Sequence, residues 1–401
     1  MSLSRRDALR RLALGSGGSA ALAVRGLEAR AAGRRVGGQT ADVARVTPRS
    51  AAIRLNSNEN PLGPSAAALR AIERAFTSAG RYPMNARPAT DDLRALIARK
   101  HGVRPEEIAL GAGSGEILDS AVRAFTSGAR GLVAGLPTFE APARVARAIQ
   151  SPVVEVPLDE RGRLDLAGMV RASPGAGLVF ICNPNNPTGT IQSATAIAHA
   201  VQGILGASPE TIVLVDEAYH DYVGDPSYAT ALPLVRRHRQ LIVSRTLSKA
   251  HGMAGLRVGY AVAARQTIER LEGWNMPFNV STLTVAAAAA SLADEPQIAR
   301  ERQRNAEALQ ETVRFFQAAG MTATDSQANF VWVNLGRPAQ AFREACEQRG
   351  ILVGRSFPPL DQTHCRISIG TMEEMQRAFR VFRTVLALPP ATVAGGRAIA
   401  S

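Results

Sequence analysis

Between residue 65 and the C-terminus, the hydrophobic positions switch repeatedly between two spacings, and each switch marks an expected element. Ser65–Phe76 and Asp91–His101 carry apolar residues at helical spacing, so each reads as an amphipathic helix. Short apolar runs recur at Ile108–Leu110, Gly131–Ala134, Ser151–Pro157, Leu178–Cys182, Thr211–Val215, Leu241–Ser244 and Arg257–Ala261. Such runs between amphipathic helices predict an α/β fold with a largely parallel sheet buried on both faces, three layers deep. After about residue 290 the texture changes. A long polar helix over Glu295–Gly320 precedes strand Asn329–Val333, helix Ala339–Arg349, strand Cys365–Ile369 and helix Glu373–Leu386, a mixture that predicts a smaller α+β domain. The Ala-rich stretch Thr284–Ala290 is too short to cross a membrane and is expected to open a buried or interface helix. The organisation expected is a leader over 1–32, an arm over 45–75 that joins the small domain, a large domain over 76–290, the small domain over 291–390 and a loose tail over 391–401.

A chain of 401 residues with 46% hydrophobic positions is long enough for two folded domains. Its net charge of +13 is uneven: nine arginines against Asp7, Glu28 and Asp42 place +6 within residues 1–45, leaving +7 for the rest. No basic block is interleaved with aromatics, which argues against a nucleic-acid partner. At the N-terminus, Arg5-Arg6 after Ser4 leads to a short apolar run, Leu12–Val24, and then to small residues near Ala29–Ala32. That order resembles a twin-arginine export signal cleaved near Ala31 or Ala32, and it implies a periplasmic or exported protein where the signal functions and a cytoplasmic one otherwise. Cys182, Cys346 and Cys365 lie far apart, without metal-ligand spacing and without the even count of a disulfide scaffold, so no metal site is expected. The cations are nearly all arginine. Lys100 and Lys249 alone offer a deprotonable amine, the group an imine needs.

Four segments place unusual polar groups at the C-terminal ends of expected strands, where open α/β sheets build their sites. In GAGSGE, Gly113, Ser114 and Gly115 open a helix whose free N–H groups suit a phosphate, although Gly-rich turns also start ordinary helices. CNPNNPTG, Cys182–Gly189, is a rigid loop that presents Asn183 or Asn186 as an oriented donor. In VDEAYHDY, Asp216 follows an apolar run, so its carboxylate needs a partner: a protonated aromatic nitrogen suits it, and so does a cap on the next segment. Tyr219 lies three residues on. SRTLSKAHGMAGLR sets Thr246, Ser248 and Arg257 around Lys249, as a cradle for phosphate oxygens.

Together with RLNSNENPLGP (Arg54–Pro64), RYP (Arg81–Pro83), LPTFE, SQANFVWV and HCRISIGT (His364–Thr371), these segments resemble the fold-type I pyridoxal-phosphate (PLP) dependent aminotransferases, in the histidinol-phosphate aminotransferase-like branch. The resemblance runs over essentially the whole chain after the leader. It implies that Lys249 bonds to PLP as an imine and then acts as the base of the proton shift. Asp216 would pair with the ring nitrogen, Asn186 and Tyr219 would donate to the ring hydroxyl, and Phe139 would stack on the ring, although a plain core position is equally open to Phe139. Ser114, Gly115, Thr246, Ser248 and Arg257 would hold the phosphate. Tyr82 would reach it from a second subunit, which implies a homodimer. Arg366 would grip the substrate carboxylate, with Asn329 near that end.

The chain also departs from the pattern. Gly115 stands where an acidic residue is frequent, and Pro142 where a second aromatic is frequent. The family's Ile-(Ile/Leu)-Val-Arg becomes Ile351-Leu352-Val353-Gly354-Arg355, displacing by one an arginine that helps hold the phosphate of histidinol phosphate in the resembled enzymes. His251 beside the lysine is a further oddity. The expected activity is transamination to a 2-oxo acid, with histidinol phosphate or an ordinary or aromatic amino acid as donor. A decarboxylase of the threonine-phosphate type is the alternative on the same scaffold, and a non-catalytic binding protein the reading from another class.

Overall fold

The computed structural model describes residues 52–387, so the expected leader and tail lie outside the described residues. The chain enters through β1 (Ile53–Leu55) and the helix Ala66–Ala75, then builds a seven-stranded sheet. Its strands are β2 (Ile108–Gly111), β3 (Leu132–Leu136), β4 (Val153–Pro157), β5 (Leu178–Cys182), β6 (Ile212–Asp216), β7 (Leu241–Thr246) and β8 (Gly259–Ala263). Their spatial order is β2-β8-β7-β6-β5-β3-β4; β3 to β7 run parallel, and β8 is antiparallel to both neighbours.

The apolar runs have a simple physical cause. Along each central strand, alternate residues turn to opposite faces, and both faces are covered. Val179, Ile181, Val213, Val215 and Val243 pack on one side with Leu93, Ile97 and Ile204 from helices. Leu178, Phe180, Ile212, Leu214 and Ile242 pack on the other with Ile117 and Leu118. Each such side chain contributes about 1.5–3 kcal/mol by leaving water, which leaves no room for a polar residue without a partner. The strand expected over Arg257–Ala261 starts two residues later, because Arg257 adopts a left-handed conformation (φ 53°) that a strand excludes. The helix expected over Glu295–Gly320 ends at Ala318, before Gly320 at φ 74°.

Beyond residue 320, β9 (Thr322–Ala323), β10 (Phe330–Asn334), β11 (Ile351–Val353) and β12 (His364–Ser368) form two small sheets. β10 lies antiparallel between β12 and β9, while β11 pairs in parallel with β1. Phe315, Phe316, Phe342 and Phe382 fill their shared core with Leu55 and Ile367. The arm therefore serves two cores: its strand joins this one, and its helix Ala66–Ala75 packs through Ala71 and Ala75 on Ala286 of the buried helix Thr282–Leu292. Among the described residues, no helix is long and apolar enough to cross a membrane.

Candidate functional site

β5, β6 and β7 end side by side. Asp216, the last residue of β6, is flanked in register by Cys182 and by Ser244. Its carboxylate is 2% exposed, and its Oδ1 accepts a 2.7 Å hydrogen bond from the Ser244 hydroxyl. Burial pushes the Asp216 carboxyl up to about 6, the Ser244 bond opposes the shift, the Glu217 charge adds to it, and Lys249 opposes it. No ion pair neutralises this carboxylate among the described residues. It therefore forms part of the floor of the cavity with a charge to place.

Lys249 follows β7 on a loop. Its Nζ donates to the Ser57 carbonyl at 3.4 Å and sits 5.7 Å over the Tyr219 ring. Burial, then the Arg366 and Arg257 charges, draw its ammonium down to about 8, against the pull of Glu59 and Asp216. The Tyr219 hydroxyl accepts from Asn58 Nδ2 at 3.0 Å and Asn186 Nδ2 at 3.4 Å; burial raises its proton affinity, and the Arg366 charge and the Asn58 bond oppose that shift. Asn186 Oδ1 in turn accepts from Arg366 Nη1 at 2.8 Å, while Arg366 Nη2 donates to the Asn56 carbonyl at 2.7 Å. The Arg366 guanidinium lies 4.8 Å from the Phe357 ring, its Nε is buried without a partner, and burial lowers its proton affinity to about 10. A buried cation with a spare donor and, among the described residues, no carboxylate partner is suited to receive a carboxylate.

The third part is a cradle. The helix Ser114–Phe125 starts after Gly113 (φ 80°) with no side-chain cap, so its first N–H groups are free. Thr246 Oγ1 donates to Ser248 Oγ at 2.9 Å; Arg257 reaches Ser248 Oγ at 3.3 Å and the Ala112 carbonyl at 3.2 Å. Two glycines permit this convergence. A Cβ on Gly113 would overlap the Arg257 guanidinium, and one on Gly259 would overlap the Ser114 amide. Backbone N–H groups, hydroxyls and a guanidinium gathered at a helix N-terminus make an anion site.

All three parts open into one cavity of about 930 Å³. Ser114, Gly115, Phe139 and Asn186 line it, with Asp216, Tyr219, Thr246, Ser248, Lys249, Arg257, Arg355 and Arg366. Tyr82, Asn183, His251 and Asn329, all singled out from the sequence, do not; Asn183 Nδ2 donates instead to the Gln192 carbonyl at 3.1 Å. Tyr82 is 63% exposed and packs against the Phe278 ring at 4.7 Å. Asn329 is fully buried behind Asn58, donating to its carbonyl at 2.9 Å. His251 turns away from the cavity toward the Ser291 hydroxyl, 2.7 Å off. Arg355 pairs with both oxygens of Glu140 at 2.6 and 2.7 Å and stacks on Phe357 at 4.2 Å.

Sequence reasoning missed Asn56–Glu59 and Ser244. Asn58 takes a left-handed turn (φ 54°) that brings its amide to Tyr219 and its carbonyl oxygen Oδ1 to the Ser368 hydroxyl at 2.8 Å. The polar run Asn56–Asn60 directly after β1 was the available signal. For Ser244 the signal was a lone hydroxyl at the end of an apolar run, one strand from Asp216.

An alkyl amine, a buried carboxylate without a counter-ion and an anion cradle fit a phosphorylated pyridine aldehyde: a base to pair with, a carbonyl to bond and a phosphate to hold. The comparisons agree with that fit. The family model for aminotransferase class I and II matches residues 50–382. The histidinol-phosphate aminotransferase of Moorella thermoacetica is 35% identical over 337 residues, spanning 84% of this chain and 86% of that protein. The aromatic amino acid aminotransferase of Thermobifida fusca is 36% identical over 348 residues, spanning 84% and 92%. The crystal structure of the Sinorhizobium meliloti histidinol-phosphate aminotransferase in complex with pyridoxal-5'-phosphate superposes with a TM-score of 0.77 at 28% identity, covering 84% of this chain and 91% of that one.

Proposed function

This chain belongs to the class I and II aminotransferases, in their histidinol-phosphate aminotransferase branch, and from that premise we propose that it moves an amino group between an amino acid or histidinol phosphate and a 2-oxo acid, with pyridoxal 5'-phosphate as cofactor. The observation that carries the reading is Lys249, an amine with lowered proton affinity that shares one cavity with the unneutralised Asp216 and the anion cradle. When bound, the cofactor supplies an electron sink for the bond broken at the substrate α-carbon. The chain's own residues do the rest. Lys249 Nζ, partly neutral near pH 7, is the amine that would hold the cofactor through its aldehyde carbon, with loss of water, and would serve as the base for the α-carbon proton. Asp216 holds a positive charge on the ring nitrogen. Asn186 and Tyr219 would hydrogen-bond the ring hydroxyl, and Phe139 would pack on the ring. Ser114, Gly115, Thr246, Ser248 and Arg257 take the phosphate. Arg366 binds the carboxylate of the amino or oxo acid, and Asn329 braces the Asn58 turn beneath it.

Two observations favour a donor without a phosphate over histidinol phosphate. A Cβ at Gly354 would overlap the Arg366 carbonyl oxygen, so no arginine fits there without moving β12. Its neighbour Arg355 is already neutralised by Glu140. Single-turnover spectroscopy of the holoenzyme separates the donors. Conversion of the bound cofactor to its amine form by phenylalanine or tyrosine, with histidinol phosphate inert, supports the aromatic donor; the reverse supports histidinol phosphate. Release of CO₂ without an oxo acid would replace transamination by decarboxylation.

A homodimer is part of the proposal. Exposed Phe76, Tyr82, Met84, Trp274, Met276 and Phe278 come from two neighbouring stretches of chain joined by the Tyr82–Phe278 contact, and a second copy would cover them while receiving Tyr82 at its phosphate cradle. The domain boundaries at 76–290 and 291–390, with 45–75 shared, are proposed on the same family footing. Arg5-Arg6 and the run that follows lie outside the described residues; we propose export through them, tested by fusing residues 1–40 to a reporter that is active only after folded export.

A further inference from the structure

We infer that Ser244 is a positioning residue for the cofactor's ring nitrogen: its hydroxyl fixes the Asp216 carboxylate so that the second oxygen is presented to that nitrogen. The inference rests on the cofactor reading of the cavity and goes beyond it, because Ser244 itself does not line the cavity.

The argument starts from what a lone buried carboxylate does. Asp216 leaves β6 with two oxygens and a soft terminal torsion, so without a tether the group rotates and either oxygen can face the ligand. Oδ1 is tethered at 2.7 Å by Ser244 Oγ, and among the described residues no hydrogen bond reaches Oδ2. Ser244 is fully buried and sits directly across the β6–β7 ladder from Asp216, so its backbone is held by the strand pairing. Its carbonyl also accepts from the Glu217 amide at 2.9 Å, which pins the chain on the far side of Asp216. One residue thus fixes both the main chain beyond Asp216 and one of its carboxylate oxygens.

The chemistry of the donor matters too. A hydroxyl has one proton, and in the structure it is given to Asp216. A neutral donor steadies the ionised carboxylate without cancelling its charge, so the charge stays available to a protonated ring nitrogen. An arginine or lysine in the same place would bind the carboxylate and consume it. A leucine or alanine would leave Oδ1 without its donor.

The test compares two cofactors on the stripped protein: pyridoxal phosphate and its 1-deaza analogue, in which a C–H replaces the ring nitrogen. Equilibrium dissociation constants are measured for wild type, Ser244→Ala and Ser244→Thr. The wild type is expected to prefer pyridoxal phosphate. Ser244→Ala is expected to bind it about tenfold more weakly, with the affinity for the deaza analogue unchanged within twofold, and Ser244→Thr to restore the preference. An equal loss for both cofactors, or no loss for either, overturns the positioning role and leaves the cofactor reading intact. A wild type that fails to distinguish the two cofactors overturns the Asp216 contact itself, and the proposal with it.

Discussion

Asp216 and Glu217 are consecutive, both carboxylates and both buried, yet they live in opposite circumstances. Glu217 is saturated: Thr230 and the Ala231 amide donate to it, and Arg245 reaches its Oε2 with two nitrogens at 3.0 and 2.9 Å. Asp216 has one hydroxyl. The same contrast separates the two lysines, since Lys100 pairs with Glu295 at 2.9 Å on the surface while Lys249 has no carboxylate partner. It separates the buried arginines as well: Arg245 is matched to Glu217, and Arg366 to carbonyl and amide oxygens only. Behind the end of β6 Glu217 and Arg245 neutralise each other, and in front of it Asp216, Lys249 and Arg366 stand without counter-ions among the described residues. Since a buried charge is costly unless it is paired, the first group serves the fold, and the second suits the ligands of the proposed function.

The largest effect should come from exchanging the roles of the lysines. Lys249→Ala is expected to lower kcat by about 10⁴-fold or more, since it removes both the covalent anchor and the base. Borohydride reduction followed by mass spectrometry should then find no cofactor attached to the chain. Lys100→Ala should leave kcat within about twofold and stability nearly unchanged, since its ion pair with Glu295 is exposed to water. Substantial turnover by Lys249→Ala would break the comparison at its centre.

The carboxylates should respond with opposite signs. Glu217→Ala strands a buried Arg245 and is expected to destabilise the protein by about 3–5 kcal/mol in chemical denaturation. Asp216→Asn should stabilise the cofactor-free protein near pH 7.5 while weakening cofactor binding. The folded Asp216 holds its proton up to about 6, against an ordinary value of 3.8. Keeping it ionised therefore costs nothing below about pH 4, and the cost is complete above about pH 6, at roughly 3 kcal/mol by linkage. The gain from Asp216→Asn should accordingly vanish in melts at pH 4. A gain that persists there would mean that something other than the charge was relieved.

That contrast explains what could be read from the chain. Strands such as Leu178–Cys182 were legible to the residue because burial on both faces forbids polar positions, and the first polar residue marks the end of the run. Asp216, Asn186 and Lys249 were legible for the same reason: each breaks an apolar run or follows one. Contacts made across long separations were not. Asn58 meets Tyr219 across 161 residues; NSNEN offers three asparagines that tolerate a left-handed turn, and only the fold shows that Asn58 takes it and where it leads. Ser244 reads as an ordinary strand residue until the β6–β7 register sets it opposite Asp216. Arg355 shows the converse. Its displacement by one position was plain in the sequence, but only the fold supplies Glu140 as its partner and the overlap that keeps Gly354 small.

Arg366→Ala should be the next effect in size. Its guanidinium is oriented by Asn186, Asn56 and Phe357 with no anion of its own, so its loss should raise KM for 2-oxo acids about 100-fold with a smaller change in kcat. Arg355→Ala should leave KM for an unphosphorylated donor within about threefold, since that arginine is already occupied by Glu140. An unchanged KM in Arg366→Ala would place the carboxylate elsewhere and remove Arg366 from the group of charges suited to ligands.

The smallest effect is a displaced midpoint, and it tests whether the unpaired charges sense one another. Lys249 must be neutral to attack the cofactor aldehyde, and burial together with Arg366 and Arg257 brings its ammonium down to about 8 from the usual 10.5. The rate of reconstitution of the stripped protein with pyridoxal phosphate should therefore rise with pH, turn over near 8 and flatten above it. An ordinary lysine would go on climbing toward 10.5. The neighbours set the direction of each further shift. Arg366→Ala removes a positive charge and should move the midpoint up, while Asp216→Asn or Glu59→Gln removes a negative charge and should move it down. Arg245 is not among the charges that act on Lys249, so beyond its effect on stability Arg245→Gln should leave the midpoint in place. If Arg245→Gln shifts the midpoint as far as Arg366→Ala does, the boundary at the end of β6 separates nothing electrostatically, and pairing is no guide to which charges serve the ligand.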